Sequence, residues 1–224
     1  MTVQSIEVKL LRPTQIAVGK RLVKTKRKGL RAREHRPSEL VNFILENPIR
    51  VVAGPAKQLF VVDHHHLAHA LLDEGFETAP VVFLGDLSKT PRGKFWAEMM
   101  AKGWVHPFDG KGRRRPISAI PRKIKDMEDD PYRSLAGFVR LRGGFIKSET
   151  PFAEFLWADF YRSRIALKLL KKNFTKGFVE ALEFSSSPDA AHLPGYISIQ
   201  KSKKTAETQK TLPDNKKSSQ SDSD

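Results

Sequence analysis

The strongest constraint on the fold is a change of rhythm between Leu59 and Gly75. Leu59-Phe60-Val61-Val62 is an uninterrupted apolar run of strand length, and it leads straight into Asp63-His64-His65-His66. Leu67, Ala70 and Leu71 then recur at helical spacing. Gly75 sits where a left-handed cap is wanted, with Phe76 placed to fold back on Leu71. A chain so patterned passes from buried strand to helix at the Asp-His-His-His turn, which puts three imidazoles at a helix N-terminus. Upstream, Val51-Val52 and the 59–62 run flank Ala53-Gly54-Pro55-Ala56-Lys57-Gln58, a hairpin with a longer loop. Downstream, Pro80-Val81-Val82-Phe83-Leu84 is another buried strand. These pieces predict a small mixed sheet with helices packed on it, an α+β core.

The remaining elements follow from the same signals. Ile6, Val8 and Leu10 alternate with Glu7 and Lys9, which predicts a half-buried first strand ended by Pro13. Residues 24–36 hold seven basic side chains and one acid and read as a basic loop, and Ser38-Glu39-Leu40 opens a short helix that Asn47-Pro48 stops. From residue 88 the pattern is helical. Thr90-Pro91 caps a helix that Gly103 ends, Asp109-Gly110-Lys111-Gly112 is a turn, Asp130-Pro131 opens a helix to Arg142, and Thr150-Pro151 opens one to about Lys172. The resulting division is a core at 1–88, a helical region at 89–200 packed on it, and a polar, basic tail at 201–224 with too little apolar surface to offset its ordering entropy.

Composition narrows the chemistry. The chain contains no cysteine, which removes thiolate nucleophiles, disulfides and cysteine-ligated metal sites from consideration. Its net charge is +15, and residues 1–200 carry +13 of that, so the excess belongs to the folded part. A field of this sign concentrates polyanions and points to DNA, nucleotides or other phosphate esters as partners. Nothing approaches the roughly 18 to 20 apolar residues of a membrane span, and Met1–Leu10 lacks a signal-peptide pattern, so a cytoplasmic location is expected.

Leu11-Arg12-Pro13-Thr14-Gln15 with Val18-Gly19, Val61 to Ala68, Phe95 to Met99, Asp130 to Leu135, and Pro151 to Phe160 together resemble the ParB-like nuclease family, a branch of the ParB and sulfiredoxin superfamily. The resemblance implies an α+β core in which an Asp-Gly-x-x-Arg turn between strand and helix grips nucleotide phosphates. It implies either nucleotide-dependent phosphoryl transfer or hydrolysis, or phosphodiester cleavage, with a nucleoside triphosphate and magnesium as the implied cofactor. A non-catalytic DNA-binding or chromosome-partition module is the alternative. Asp63 matches the motif's acid, whereas His64 stands at its glycine and Leu67 at its arginine. The sulfiredoxin reaction is excluded because its cysteine has no equivalent.

The residues themselves support a phosphate site at the turn. Unpaired N–H groups at a helix start attract anions. His64, His65 and His66 would add donors and a proton carrier that titrates near neutrality, and Asp63 could orient one of them, accept a proton or hold a cation. His65 or His66 paired with His69 could also hold a metal. Asp63 as a helix cap, with histidines that merely pack, is the bland reading. Thr14, Gln15, Lys24 and Lys26 are candidate phosphate contacts. Arg27, Lys28, Arg113, Arg114 and Arg115 are candidate nucleic-acid contacts. Glu154 and Asp159, acids in an apolar helix, are expected to pair with arginines, Arg162 being one turn from Asp159.

Overall fold

A computed structural model describes residues 3–198, so the 201–224 tail expected from composition lies outside the described residues. The elements are β1 (Val3–Glu7), β2 (Leu11–Pro13), β3 (Ala17–Val18), α1 (Lys20–Arg31), α2 (Pro37–Glu46), β4 (Ile49–Ala53), β5 (Leu59–Asp63), α3 (His65–Asp73) and β6 (Thr78–Asp86). They continue as α4 (Arg92–Ala101), β7 (Glu128–Asp129), α5 (Pro131–Leu141), α6 (Ala153–Arg162), α7 (Leu167–Lys172) and α8 (Phe174–Ser185). Five strands form one mixed sheet in the order β1-β6-β4-β5-β2, while β3 and β7 pair separately in parallel. The expected hairpin is the antiparallel β4–β5 pair. Outside it, β6 runs parallel to β4 and β2 parallel to β5. This is the α+β arrangement expected from the sequence.

Burial explains why the sheet holds. Ile49, Val51, Val61 and Val81 are wholly buried and pack with Leu67, Ala68, Ala70 and Leu71, the inward face of α3. At roughly 2 kcal/mol for each fully buried large aliphatic side chain, this layer alone outweighs any single polar contact in the fold. A second cluster gathers Leu135, Val139, Phe145, Trp157, Tyr161 and Ile165 within the helical region. On the other face of the sheet a third joins Val52 and Phe60 to Phe95 and Met99 of α4.

Four expectations are corrected. The basic 24–36 segment lies mostly on a helix: Leu22, Val23 and Leu30 are buried along one side of α1, and lysine and arginine are good helix formers. The single first strand is two, because a 3-10 turn at Val8–Leu10 breaks the alternation, burying Val8 and leaving Leu10 56% exposed. The 152–172 helix divides into α6 and α7, and the hydroxyl of Tyr132 donates to the Ile165 carbonyl at 2.6 Å in the gap. Thr90 makes no cap hydrogen bond, as Pro91 holds the N-cap position of α4.

Candidate functional site

The strand-to-helix turn is where expected, and its four residues have divided roles. His64 adopts φ 69°, ψ 26°, the left-handed conformation that glycine reaches without cost. The motif's glycine geometry thus survives although the residue is histidine. Asp63, with 52% of its side chain exposed, accepts the His64 main-chain N–H at 2.7 Å through Oδ1. Its Oδ2 lies 3.6 Å from Arg50 and 4.0 Å from His64 Nε2. His64 Nδ1 is 2.9 Å from the Pro48 carbonyl, an acceptor only, so Nδ1 carries a proton and donates there.

His65 and His66 face inward. The Thr14 main-chain N–H donates to His65 Nε2 at 3.3 Å, and the Gly19 N–H donates to His66 Nε2 at 3.1 Å. Burial pushes the His65 pKa down to about 3, and burial followed by Arg133 holds His66 well below the ordinary histidine value. Both are therefore neutral acceptors at neutral pH. The expectation that they shuttle protons is corrected: they fasten the β2 exit and the start of α1 to the turn. Glycine is required at position 19, since a Cβ there would stand 2.7 Å from the Ser134 main chain on α5. The metal pairs suggested with His69 do not form either, because those rings are spent on Thr14 and Gly19 and no group of three metal-type ligands occurs among the described residues. His69 itself is buried, with Asp73 at 3.5 Å and neither ring nitrogen hydrogen-bonded.

Asp63 opens onto a cleft of about 300 Å³ between the sheet's end and the helical region. Its lining includes Gln15, Asp63 and five cations, Arg50, Lys102, Arg133, Arg140 and Lys147, against three acids in all. Glu154 is drawn between Arg140 at 3.0 Å and Arg133 at 3.7 Å, which is the arginine pairing expected of it; Asp159 likewise meets Arg162 at 3.1 Å. Arg133 is the unusual member. Only 13% of its side chain is exposed, it stacks over Phe155 at 5.1 Å, and its Nε has no hydrogen-bond partner. Burial lowers its pKa, Glu154 opposes that, and Arg140 adds to it. Arg140 Nε, although close to Glu154, is not aligned to donate to it. A desolvated guanidinium so incompletely paired is costly for the fold and attractive to an anion.

Most of the other candidates lie outside the lining of this cleft. Gln15 lines it, but Thr14 is wholly buried and gives its hydroxyl to the Val61 carbonyl at 2.7 Å, so the expected phosphate contact there is corrected to a strand clamp. Lys26 lies within electrostatic range of Asp63 and Arg140, and desolvation followed by Arg140 lowers its pKa although it reaches solvent. Lys24 and Lys28 stand on the exposed side of α1, among the lining of two other hollows. Arg27 is engaged by Glu74 at 2.5 Å and Asp73 at 3.3 Å. Arg113 and Arg115 clasp the buried Asp109 at 2.9 and 3.4 Å, which makes them braces of the 109–112 turn, while Arg114 is exposed. The cleft arginines 133 and 140 escape a motif search. The phrase Asp130-Pro131-Tyr132-Arg133 contains the first, and its signal is an arginine placed one turn into a capped helix on the inward side.

A larger hollow of about 550 Å³ near Arg12, Phe60, Trp96 and Arg122 lies toward the opposite end of β5 and contains no carboxylate or histidine. It therefore offers no acid or base beside its cations, and Asp63 remains the better reaction centre.

The chain is similar in sequence and fold to a solved protein. The crystal structure of protein Atu1540 from Agrobacterium tumefaciens is 41% identical, with a TM-score of 0.79, over 89% of this chain and 100% of that one. A conserved hypothetical protein from Pyrococcus furiosus matches at 17% identity over 42% of this chain and 35% of that one, with a TM-score of 0.29. No curated protein matches. The family model described as "Putative ParB-like nuclease" matches residues 4–163, which takes in the turn, Arg133 and Glu154. The chain belongs to the ParB-like nuclease family.

Proposed function

We propose that the Asp63 cleft binds a phosphate ester and hydrolyses it, with a phosphodiester within a nucleic acid as the substrate. The observation that carries this reading is Arg133, a buried and under-paired guanidinium in the same small cleft as an exposed carboxylate. Five cations around the cleft would neutralise charge on the phosphoryl oxygens as it builds toward the transition state. Asp63 would accept the proton of the attacking water. Water's oxygen forms a bond to phosphorus, the ester P–O bond breaks, and the departing alkoxide takes a proton from solvent or from a cation nearby. The volume favours a diester: about 300 Å³ is the small end for ligand pockets, enough for one phosphate and part of a sugar while a polymer continues outside.

Magnesium fits this donor set to a limited degree. It is commonly held by one or two carboxylates together with substrate phosphates, and Asp63 and the exposed Glu149 are the lining carboxylates open to it, since Glu154 is engaged by two arginines. Bound there, it would add Lewis-acid polarisation of the phosphate. A nucleoside triphosphate is the competing substrate, and it calls on the same cleft.

The test is a turnover and thermal-shift screen of the purified chain against an aryl phosphodiester, single- and double-stranded oligonucleotides and nucleoside triphosphates, with and without magnesium. Diester hydrolysis with ligand protection of the fold is the expected result. Turnover of triphosphates alone would reassign the cleft to nucleotide hydrolysis. Binding of DNA with no turnover of any ester would make the protein a DNA-binding module and end the enzymatic reading.

A further inference from the structure

A second surface, apart from the cleft, is built for a different part of a nucleic acid. Arg21, Lys24 and Lys28 follow one another along α1 at spacings of three and four, so they share one face and span roughly 10 Å of its axis. All three are exposed. They form one wall of a groove of about 530 Å³ whose other walls come from α5 and α8. Phe138, Phe174 and Phe178 line its apolar side, each half-buried, and Arg142 closes it as a fourth cation. The Arg21 guanidinium already lies over the Phe174 ring at 4.5 Å, and Phe138 meets Phe174 edge-on at 5.7 Å. No carboxylate is among the lining residues.

We propose that this groove between α1, α5 and α8 is a docking track for single-stranded nucleic acid. Cations along one wall follow the phosphates, and partly open phenylalanine rings opposite receive the unstacked bases, the combination by which single strands are bound without sequence preference. The charge argument also sets aside other occupants. A second copy of this chain carries the same +15, and the 201–224 segment of the chain is rich in lysine, so neither complements a groove lined by four cations and no carboxylate. A duplex buries its bases and has no use for the aromatic wall. The inference goes beyond the hydrolytic reading and does not depend on it, since binding at this groove requires no turnover at Asp63.

The test is fluorescence anisotropy of the full chain with labelled oligonucleotides in EDTA, so that hydrolysis plays no part. Single strands should bind more tightly than the same sequence as a duplex, with affinity that falls as salt rises. Reversing two solvated charges with Lys24→Glu and Lys28→Glu should weaken binding about tenfold or more and flatten the salt dependence. Phe174→Leu keeps an apolar side chain of similar reach while removing the ring face, and should weaken single-strand binding about fivefold. Should Phe174→Leu disturb the fold, Arg142→Glu supplies an exposed alternative with the same expected direction. Equal affinity for duplex and single strand, or binding indifferent to the charge reversals, would overturn the proposal. So would preferential binding of an acidic peptide or of phosphatidylserine vesicles. A failure of the hydrolysis screen would leave the anisotropy result intact, and the converse also holds.

Discussion

The cleft at Asp63 and the exposed face of α1 are both cationic, yet their charges are held in opposite ways. In the cleft, Arg133 and Arg140 are largely taken out of water and set around one carboxylate, Glu154. On α1, Lys24 and Lys28 are solvated and form no ion pair among the described residues. Desolvated charge is expensive and acts over a short range with strength, whereas solvated charge is cheap, screened by salt and tolerant of geometry. The first arrangement suits stabilisation of charge that develops at one atom. The second suits attraction of a polyanion in many registers. Separating the two kinds of charge lets one protein attract a polymer loosely and still treat one phosphate strictly.

The largest effect expected of this contrast is on turnover. Asp63→Asn keeps the oxygen that accepts the His64 N–H, so the turn should stand, while the proton acceptor and cation ligand are lost. Ester hydrolysis should fall about a thousandfold, ~4 kcal/mol of transition-state stabilisation, with the melting temperature unchanged. Activity close to that of the parent would remove Asp63 from the chemistry.

Arg133→Met sharpens the comparison through the sign of its stability change. If the guanidinium is retained for an anion and contributes nothing net to the fold, a methionine beside Phe155 should leave stability unchanged or raise it by about 1 kcal/mol. Turnover should nevertheless drop about a hundredfold. Lys24→Met, on the solvated face, should move stability by less than about 0.5 kcal/mol and leave the aryl diester rate alone. Urea denaturation and initial rates of the two variants read both quantities. A large destabilisation in Arg133→Met would show that the arginine is a structural brace.

The sequence made the sheet and the turn legible because their signals are local. Leu59–Val62, the Asp-His-His-His step and Gly75 at φ 77° all lie within a few residues of what they determine. The cleft was not legible as a site, since Arg50, Lys102, Arg133 and Glu154 come from separate elements and only packing brings them together. Charge density also concealed α1, where counting basic residues suggests a loop and the spacing of Leu22, Val23 and Leu30 shows a helix. The histidines were found but their direction was not, because no local pattern tells that His65 will meet Thr14 or His66 will meet Gly19.

Those inward histidines make acid stability the next measurement. His65, and with it the buried His106 that stacks against Phe108 and Phe155, have folded-state pKa values pushed down to about 3 by burial, against about 6.5 in an unfolded chain, and His66 is shifted in the same direction. Between those values the unfolded state binds protons that the folded state refuses, so stability rises with pH there. The contribution is fully present above about pH 6.5 and is lost as pH falls toward 3. From pH 7 to 5 the loss should be about 2 kcal/mol for each of His65 and His106, with His66 adding in the same direction. Chemical denaturation at several pH values checks this, and His65→Gln should make the dependence shallower. A stability flat from pH 7 to 5 would show that water reaches these rings.

The smallest effect concerns the turn's conformation, the feature that separates the cleft most clearly from the α1 face. His64 occupies a left-handed position that costs an L-residue roughly 1–2 kcal/mol, and such strain is held only where surrounding structure enforces it. His64→Gly and His64→Ala both remove the imidazole and its bond to Pro48, so their difference isolates the backbone. Alanine keeps the left-handed cost, while glycine relieves it and loses part of that gain to its greater freedom when unfolded. Glycine should therefore be the more stable by about 1 kcal/mol. Equal stabilities would mean that the turn relaxes once the ring is gone and that His64 itself imposes the geometry through Pro48. In that case Asp63 should lose its position as well, and ester hydrolysis should fall in both variants. If glycine is the more stable and keeps the activity, the left-handed backbone holds Asp63 at the mouth of the cleft and the imidazole is dispensable.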